Sequence, residues 1–159
     1  MTPEQEIIED LLAQARSVRS SLPDTLGMIG TLPTTLAAFE AMPATARIGT
    51  TAMLKQFEQL EDSLAGLFRA VLRTMGQRLK GLYPLDIGNK MVELDVLDDG
   101  EAWLAVVKLR NQLVHEYSLV AAERFERLSQ AYHALPLLID ALERIEKCIA
   151  ERQLLEDRA

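Results

Sequence analysis

The chain contains two histidines, and one of them, His115, lies in a segment rich in groups that can do chemistry. Arg110, Asn111, His115 and Tyr117 occur within eight residues of an otherwise apolar helical pattern. Histidine titrates near neutral pH and can act as an acid or a base, and arginine makes charged, bidentate contacts with anions. A helix that only filled a core would gain nothing from this set, because buried polar groups need partners. The segment is therefore the candidate functional site.

Helical geometry divides these side chains between two faces. Asn111 and His115 are four residues apart and share one face, with Lys108 one turn earlier. Arg110 shares another stripe with Tyr117, and on an ideal helix it lies about 140° from His115. One straight helix would not aim both side chains at a small substrate. Either the helix ends or bends near His115, or a second copy of the protein completes the site.

The remaining sequence supplies the helices that must position this segment. The strongest pattern runs from about Ala44 to Met75, where apolar residues recur at spacings of three and four, and it predicts the central helix. Asp98 is the expected N-cap of the helix that carries His115, with Glu101 completing a capping box. Pro136 should kink or split the last helix. We predict helices over residues 3–22, 34–41, 44–75, 89–97, 99–117 and 119–155, with a loop over 23–35 where Pro and Gly are frequent.

This organisation is typical of an all-α protein, and we expect one domain, residues 1–159, built as an up-and-down bundle of four to five main helices. The net charge of −7 argues against broad, nonspecific binding of nucleic acid, although it leaves room for a small basic site. The single cysteine, Cys148, excludes an internal disulfide and is expected to be a small buried hydrophobe. The N-terminus does not resemble a signal peptide and no stretch approaches the roughly 20 apolar residues of a membrane span, so we expect a cytoplasmic protein.

Other candidate sites have simpler structural explanations. Glu58, Glu61 and Asp62 are expected largely off the apolar stripe of the long helix, and no Glu-x-x-His pair accompanies them to form a di-iron site. The acidic residues between 93 and 101 fit helix capping and solvation better than a calcium loop. His133, close to Pro136, is expected at the surface. We predict no metal and no cofactor.

The spacing of Arg110, His115 and Tyr117 is the R-x4-H-x-Y pattern of HEPN domains, and the segment resembles the HepT-like toxins in particular. The resemblance extends over about residues 48–150, whereas residues 1–45 match the family less clearly. Besides the motif, the parts that resemble the family are residues 56–62, the turn before Trp103 and residues 116–128.

The resemblance implies a homodimer with the two motifs facing each other across a two-fold axis, and many members of the family are metal-independent endoribonucleases. Such cleavage uses the ribose 2′-OH as nucleophile and needs a base, an acid and positive charge at the phosphate. By resemblance, His115 is the acid or base, Arg110 holds the phosphate and Asn111 orients them. A dimer would supply two histidines and two arginines. Weaker candidates for RNA contacts are Lys108, Arg124 and Arg127.

HepT-like toxins are encoded beside minimal nucleotidyltransferases of the MNT type, which serve as their antitoxins. The residue that these partners adenylylate matches Tyr117, and the added bulk and negative charge would repel RNA. Some relatives resemble binding subunits without nuclease activity. A second hypothesis is therefore a non-catalytic partner subunit of a nucleotidyltransferase, and a third is a plain scaffold bundle.

Overall fold

The computed structural model describes residues 1–115 and 119–156, and this part of the chain is built from α-helices without any strand. The all-α class expected from the periodicity is confirmed. None of the described helices is both long and apolar enough to cross a membrane. The helices are α1 (Pro3–Ile29), α2 (Leu36–Glu40), α3 (Ala44–Thr74), α4 (Pro84–Glu93), α5 (Gly100–His115) and α6 (Ala121–Glu151).

The central helix is α3, as the apolar stripe predicted. It ends at Thr74, one residue before the expected Met75. Large side chains of this stripe, among them Phe57, Leu64 and Phe68, are fully buried. Burying one such side chain stabilises the fold by roughly 1.5–3 kcal/mol. Because α3 contacts α1, α4, α5 and α6, its stripe joins most of the helices into one core.

The first helix is longer than predicted. It continues through Pro23 to Ile29, so the expected stop before Pro23 and the first half of the expected loop over 23–35 are wrong. Pro23 is exposed, whereas Leu22 and Ile29 are buried against the core. An internal proline costs a helix about 3 kcal/mol. Burial of the neighbouring apolar side chains on α3 offsets that cost.

The helix before the site region also begins earlier than predicted. It covers Pro84–Glu93 rather than residues 89–97. Proline occupies the first helical position, where its missing N–H is not needed. The Asp86 carboxylate accepts a hydrogen bond from the Tyr83 backbone N–H at 2.8 Å. These two features set the start of α4.

The start of α5 is capped by Asp99 and not by Asp98. The Asp99 carboxylate accepts from the Glu101 backbone N–H at 2.9 Å. The predicted cap at Asp98 is wrong because its carboxylate lies 2.9 Å from a guanidinium nitrogen of Arg144, on α6. A contact between distant segments thus overrides the local capping pattern.

The last helix is unbroken across Pro136, so of the predicted kink or split the split is wrong. Pro136 and His133 are both exposed, and the His133 ring nitrogen Nδ1 lies 2.7 Å from the Ser129 carbonyl oxygen of the same helix. The surface position expected for His133 is confirmed. Cys148 is buried as expected, and burial raises the pKa of its thiol.

The N-terminal half of α5 is fixed by close packing on two neighbouring helices. Trp103 is 1% exposed, and its ring meets that of Phe68 on α3 edge-on with centroids 4.7 Å apart. Gly88 of α4 lies so close that a Cβ there would sit 3.1 Å from the Trp103 ring. A residue without a side chain therefore lets α4 approach α5. The candidate site lies in the other half of α5.

Candidate functional site

Arg110 lies on the face of α5 that packs against α3, where two adjacent carboxylates meet its guanidinium. Nη2 is 2.7 Å from the nearer oxygen of Asp62. Nε is 3.4 Å from Glu61 Oε2, an ion pair whose alignment falls short of a hydrogen bond. Nη1 donates to the side-chain oxygen of Asn111 at 3.3 Å. The guanidinium is thus held from three directions within one chain.

Glu61 is the buried member of this cluster, with 3% of its surface exposed. The pKa of its carboxyl is raised from 4.5 to about 7, first by burial and then by the negative charge of Asp62, while the Arg110 guanidinium opposes both effects. Near neutral pH the carboxyl is therefore close to half protonated. Protonation removes one negative charge from beside Arg110.

Sequence reasoning missed Glu61, although a signal for it was present. The expectation that Glu61 lies off the apolar stripe is wrong: Phe57, Glu61, Leu64 and Phe68 follow one another at spacings of four, three and four. A carboxylate at such a position must be buried, and a buried carboxylate needs a cation or a proton. The next residue, Asp62, keeps 58% of its side chain exposed, in agreement with the pattern.

His115 is the last residue of α5 and is exposed. In the described part of the chain, however, Arg110 contacts Glu61, Asp62 and Asn111 and not His115. One chain alone does not bring Arg110 and His115 together.

The other residues of the motif fall into different settings. Asn111 is exposed and accepts a hydrogen bond from Arg110, although it was expected to share a face with His115 and not with Arg110. Lys108 is exposed, two residues before Arg110. Tyr117 lies outside the described residues, so its expected role as the adenylylated residue has no structural counterpart here.

The two weaker candidates on α6 share one groove. Arg124 and Arg127 lie in the first turns of that helix and line a groove of about 650 Å³. Its other walls come from α2 and α3, with Leu113 contributing from the end of α5. The groove therefore reaches the helix end that carries His115, two residues beyond Leu113.

A second arginine cluster resembles the first in composition only. Arg144 of α6 contacts Asp95, Asp98 and Asp140 at 2.9–3.3 Å, and all three carboxylates are mostly exposed. It ties α6 to the connection between α4 and α5 and contains no buried acid. Across residues 1–115 and 119–156, no group of three or more His, Cys, Asp or Glu side chains could hold a metal ion.

Comparisons with protein-family models, with curated proteins and with solved structures give no match for this chain. The resemblance to HEPN domains therefore depends on the sequence features given above, the R-x4-H-x-Y segment together with residues 56–62, the turn before Trp103 and residues 116–128.

Proposed function

We propose that this protein is a HepT-like endoribonuclease toxin that acts as a cytoplasmic homodimer without a metal. The observation that carries the proposal is the setting of the motif. Arg110 is held by Glu61 and Asp62 on the surface between α3 and α5. His115 lies exposed at the end of the same helix, one and a half turns further on. A fixed cation and an accessible imidazole are two of the groups that this cleavage requires.

In the proposed reaction the ribose 2′-oxygen attacks the adjacent phosphorus while a base takes the 2′-proton. The bond from phosphorus to the 5′-oxygen breaks, that oxygen receives a proton from an acid, and a cyclic phosphate remains. His115 of one protomer would be the base and His115 of its partner the acid. A dimer is needed because each chain has one motif histidine, and because Arg110 and His115 of one chain do not meet.

Arg110 would neutralise the charge that develops on the phosphoryl oxygens. Its Nε faces buried Glu61, whereas Nη1 and Nη2 contact exposed partners, Asn111 and Asp62. A phosphate would therefore approach the two Nη groups. Because the carboxylates already fix the guanidinium, binding costs little reorganisation. Asn111 would then keep Nη1 in place rather than orient His115.

The proposed partner is an MNT-type nucleotidyltransferase that silences the toxin by adenylylating Tyr117. Co-expression with such an enzyme should add roughly 329 Da for each adenylyl group. Intact-mass spectrometry and peptide mapping would locate the modification. An unchanged mass, or modification elsewhere, would contradict this part of the proposal.

A second candidate, a non-catalytic partner subunit of a nucleotidyltransferase, is favoured by the same arginine. Its guanidinium is already paired with Glu61 and Asp62, an arrangement that also suits a purely structural ion pair. The net charge of −7 likewise gives RNA little general attraction. This candidate predicts that expression of the protein alone does not arrest growth, whereas a nuclease toxin should arrest it.

The decisive experiment is RNA cleavage by purified protein in the presence of a chelator. Wild type is compared with His115→Ala and with the matched control His133→Ala, which removes an exposed histidine from α6. We expect cleavage by wild type and by His133→Ala, and none by His115→Ala. Mass spectrometry must first show that Tyr117 is unmodified, because a silenced protein would be equally inactive. Equal RNA cleavage, or equal lack of cleavage, by all three unmodified proteins would contradict the proposal.

A further inference from the structure

The groove beside the motif concentrates positive charge on an otherwise acidic protein. We call it the basic groove and define it by Arg47 and Lys55 of α3 and by Arg124 and Arg127 of α6. Arg47 and Arg124 are exposed. Its volume of about 650 Å³ falls within the range typical of ligand sites, about 300–1,000 Å³.

Positive charge exceeds negative charge among the side chains that line this groove. Four cations face two carboxylates, those of Glu40 and Glu58. Glu58 is held at 3.3 Å by Lys55, which neutralises that pair. The exposed Arg47 and Arg124 then face the carboxylate of Glu40, in a chain whose net charge is −7. A positively charged groove on a negatively charged protein favours the binding of an anionic ligand in that groove.

The basic groove also presents apolar surface between its cations. Phe39, Leu54 and Leu113 line it together with the charged residues. The Phe39 ring is half-buried and packs at a tilt against that of Phe125, with centroids 5.6 Å apart. Phosphates alone would not need such surface, whereas unpaired bases stack on it. A duplex keeps its bases inside, so the combination fits a single strand.

The position of the basic groove connects it to the proposed site. Leu113 contributes to its wall from α5, two residues before His115. On α3, Glu58 lies one turn before Glu61, the partner of Arg110. A strand lying in the groove would thus lead directly towards the motif. Phe39 comes from α2, in the N-terminal part of the chain that resembles HEPN domains least.

We infer that the basic groove binds the single-stranded RNA next to the cleaved phosphate. Arg47 and Arg124 contact its phosphates, and Phe39 and Leu113 contact its bases. The identity of the ligand as RNA rests on the proposed function. The N-terminal α2 thereby gains a role, because it supplies one wall of the substrate track.

The test measures RNA binding separately from cleavage. Each protein carries His115→Ala, and fluorescence anisotropy follows a labelled single-stranded oligoribonucleotide between 50 and about 300 mM salt. Arg47→Gln/Arg124→Gln is compared with Arg78→Gln/Lys80→Gln, which removes the same charge from exposed positions outside the groove. All four side chains are exposed, and circular dichroism confirms that each variant is folded.

We expect the groove variant to bind about 25-fold more weakly at 0.1 M salt. For single strands, the logarithm of the binding constant falls with the logarithm of the salt concentration with a slope of about −0.7 for each phosphate contact. Two lost contacts therefore reduce the magnitude of this slope by about 1.4, which corresponds to about 25-fold at 0.1 M salt. The control variant should bind within about twofold of its parent. Phe39→Ala should weaken binding with an unchanged slope, and duplex RNA should compete poorly.

Equal affinity of the groove and control variants would overturn the inference, and so would equal competition by duplex RNA. Absence of RNA binding by the His115→Ala parent would also overturn the inference. An acidic protein surface would then be the better candidate for the ligand of the basic groove. Failure of the proposed function is distinguishable from these outcomes. If unmodified wild type cleaves RNA while the groove variant binds normally, only the inference is wrong. If groove-dependent binding occurs but wild type does not cleave, only the proposed nuclease is wrong.

Discussion

Helices α3 and α5 contact each other at two places, seven residues apart on each helix, and one contact is apolar whereas the other is charged. At one place Trp103 of α5 packs against Phe68 of α3, with ring centroids 4.7 Å apart. Seven residues later on α5 and seven earlier on α3, Arg110 meets Glu61. The helices are antiparallel, so both contacts lie on one shared seam. The first is dry and apolar, whereas the second contains a carboxylate that is 3% exposed.

The difference separates what holds α5 in place from what gives it chemistry. An apolar pair at the position of Arg110 and Glu61 would pack the helices without burying charge. Buried ion pairs are often replaceable by apolar residues without loss of stability. The Arg110–Glu61 contact is therefore weak as a stabilising device, and the proposed function gives a reason for its presence on this seam. The apolar contact two turns away provides the rigidity that such a site needs.

The apolar end of the seam should show the largest effect on stability. Trp103→Ala should lower the free energy of unfolding by about 3–5 kcal/mol, because it empties a large buried volume between α3, α4 and α5. Urea denaturation at pH 7 measures this loss. The control is Tyr83→Ala, an aromatic residue that is 75% exposed, which should change stability by less than about 0.5 kcal/mol. Similar losses in the two variants would mean that Trp103 does not anchor α5.

The polar end of the seam should make stability depend on pH. The pKa of Glu61 is about 7 in the folded protein and 4.5 when unfolded, so the folded state binds this proton more tightly. The resulting stabilisation is complete below pH 4.5 and is lost as the pH rises through 7. From pH 5 to pH 8.5 the loss should be about 2–3 kcal/mol.

Glu61→Gln removes this titration while keeping the shape of the side chain. The difference in unfolding free energy between Glu61→Gln and wild type should therefore shift in favour of the variant as the pH rises from 5 to 8.5. Glu143→Gln is the control, since it removes an exposed carboxylate of α6 and leaves Glu61 and Asp62 in place. A constant difference between wild type and Glu61→Gln over this range would show that Glu61 is already ionised at pH 5.

Removing the cation of the polar contact should have an intermediate effect. Arg110→Met leaves Glu61 without its cation, and we expect a loss of about 1–2 kcal/mol at pH 8, below the 3–5 kcal/mol of fully buried pairs because Asp62 is exposed. Arg144→Met is the matched control. It removes contacts with three mostly exposed carboxylates and should cost less than about 1 kcal/mol. A larger loss for Arg144→Met would reverse the proposed contrast between the two clusters.

The two ends of the seam also differ in how far the sequence reveals them. The apolar stripe of α3 and the short helix α2 both follow from local sequence pattern. The ends of these two helices were predicted to within two residues, and the N-cap of α2, Thr35, lies within its predicted range. The errors at Pro23, Asp98 and Pro136 share one cause. Each is a local breaker or capping signal that contacts with distant helices override, as when Arg144 takes the carboxylate of Asp98.

The sequence predicted which residue types form the candidate site, but it did not predict which residues of other helices contact them. Spacing within α5 identified Arg110 and His115 and placed them about 140° apart. The partner of Arg110 lies 49 residues earlier in sequence, on α3. No local pattern encodes the pairing of two helices, although Glu61 at a buried stripe position indicated that some cation must reach it. The basic groove was equally out of reach, because it joins residues of three helices with Leu113 of a fourth.

The smallest effect on stability is expected at His115, and it separates a site from a scaffold. His115 is exposed at the end of α5 and supports no packing, so His115→Ala should change the free energy of unfolding by less than about 0.5 kcal/mol. Thermal and urea unfolding beside wild type measure this difference, with the exposed His133→Ala as control. If the motif is a site, His115→Ala abolishes RNA cleavage without loss of stability. A scaffold predicts the reverse, a measurable loss of stability with no cleavage to lose, and that result would make the motif structural.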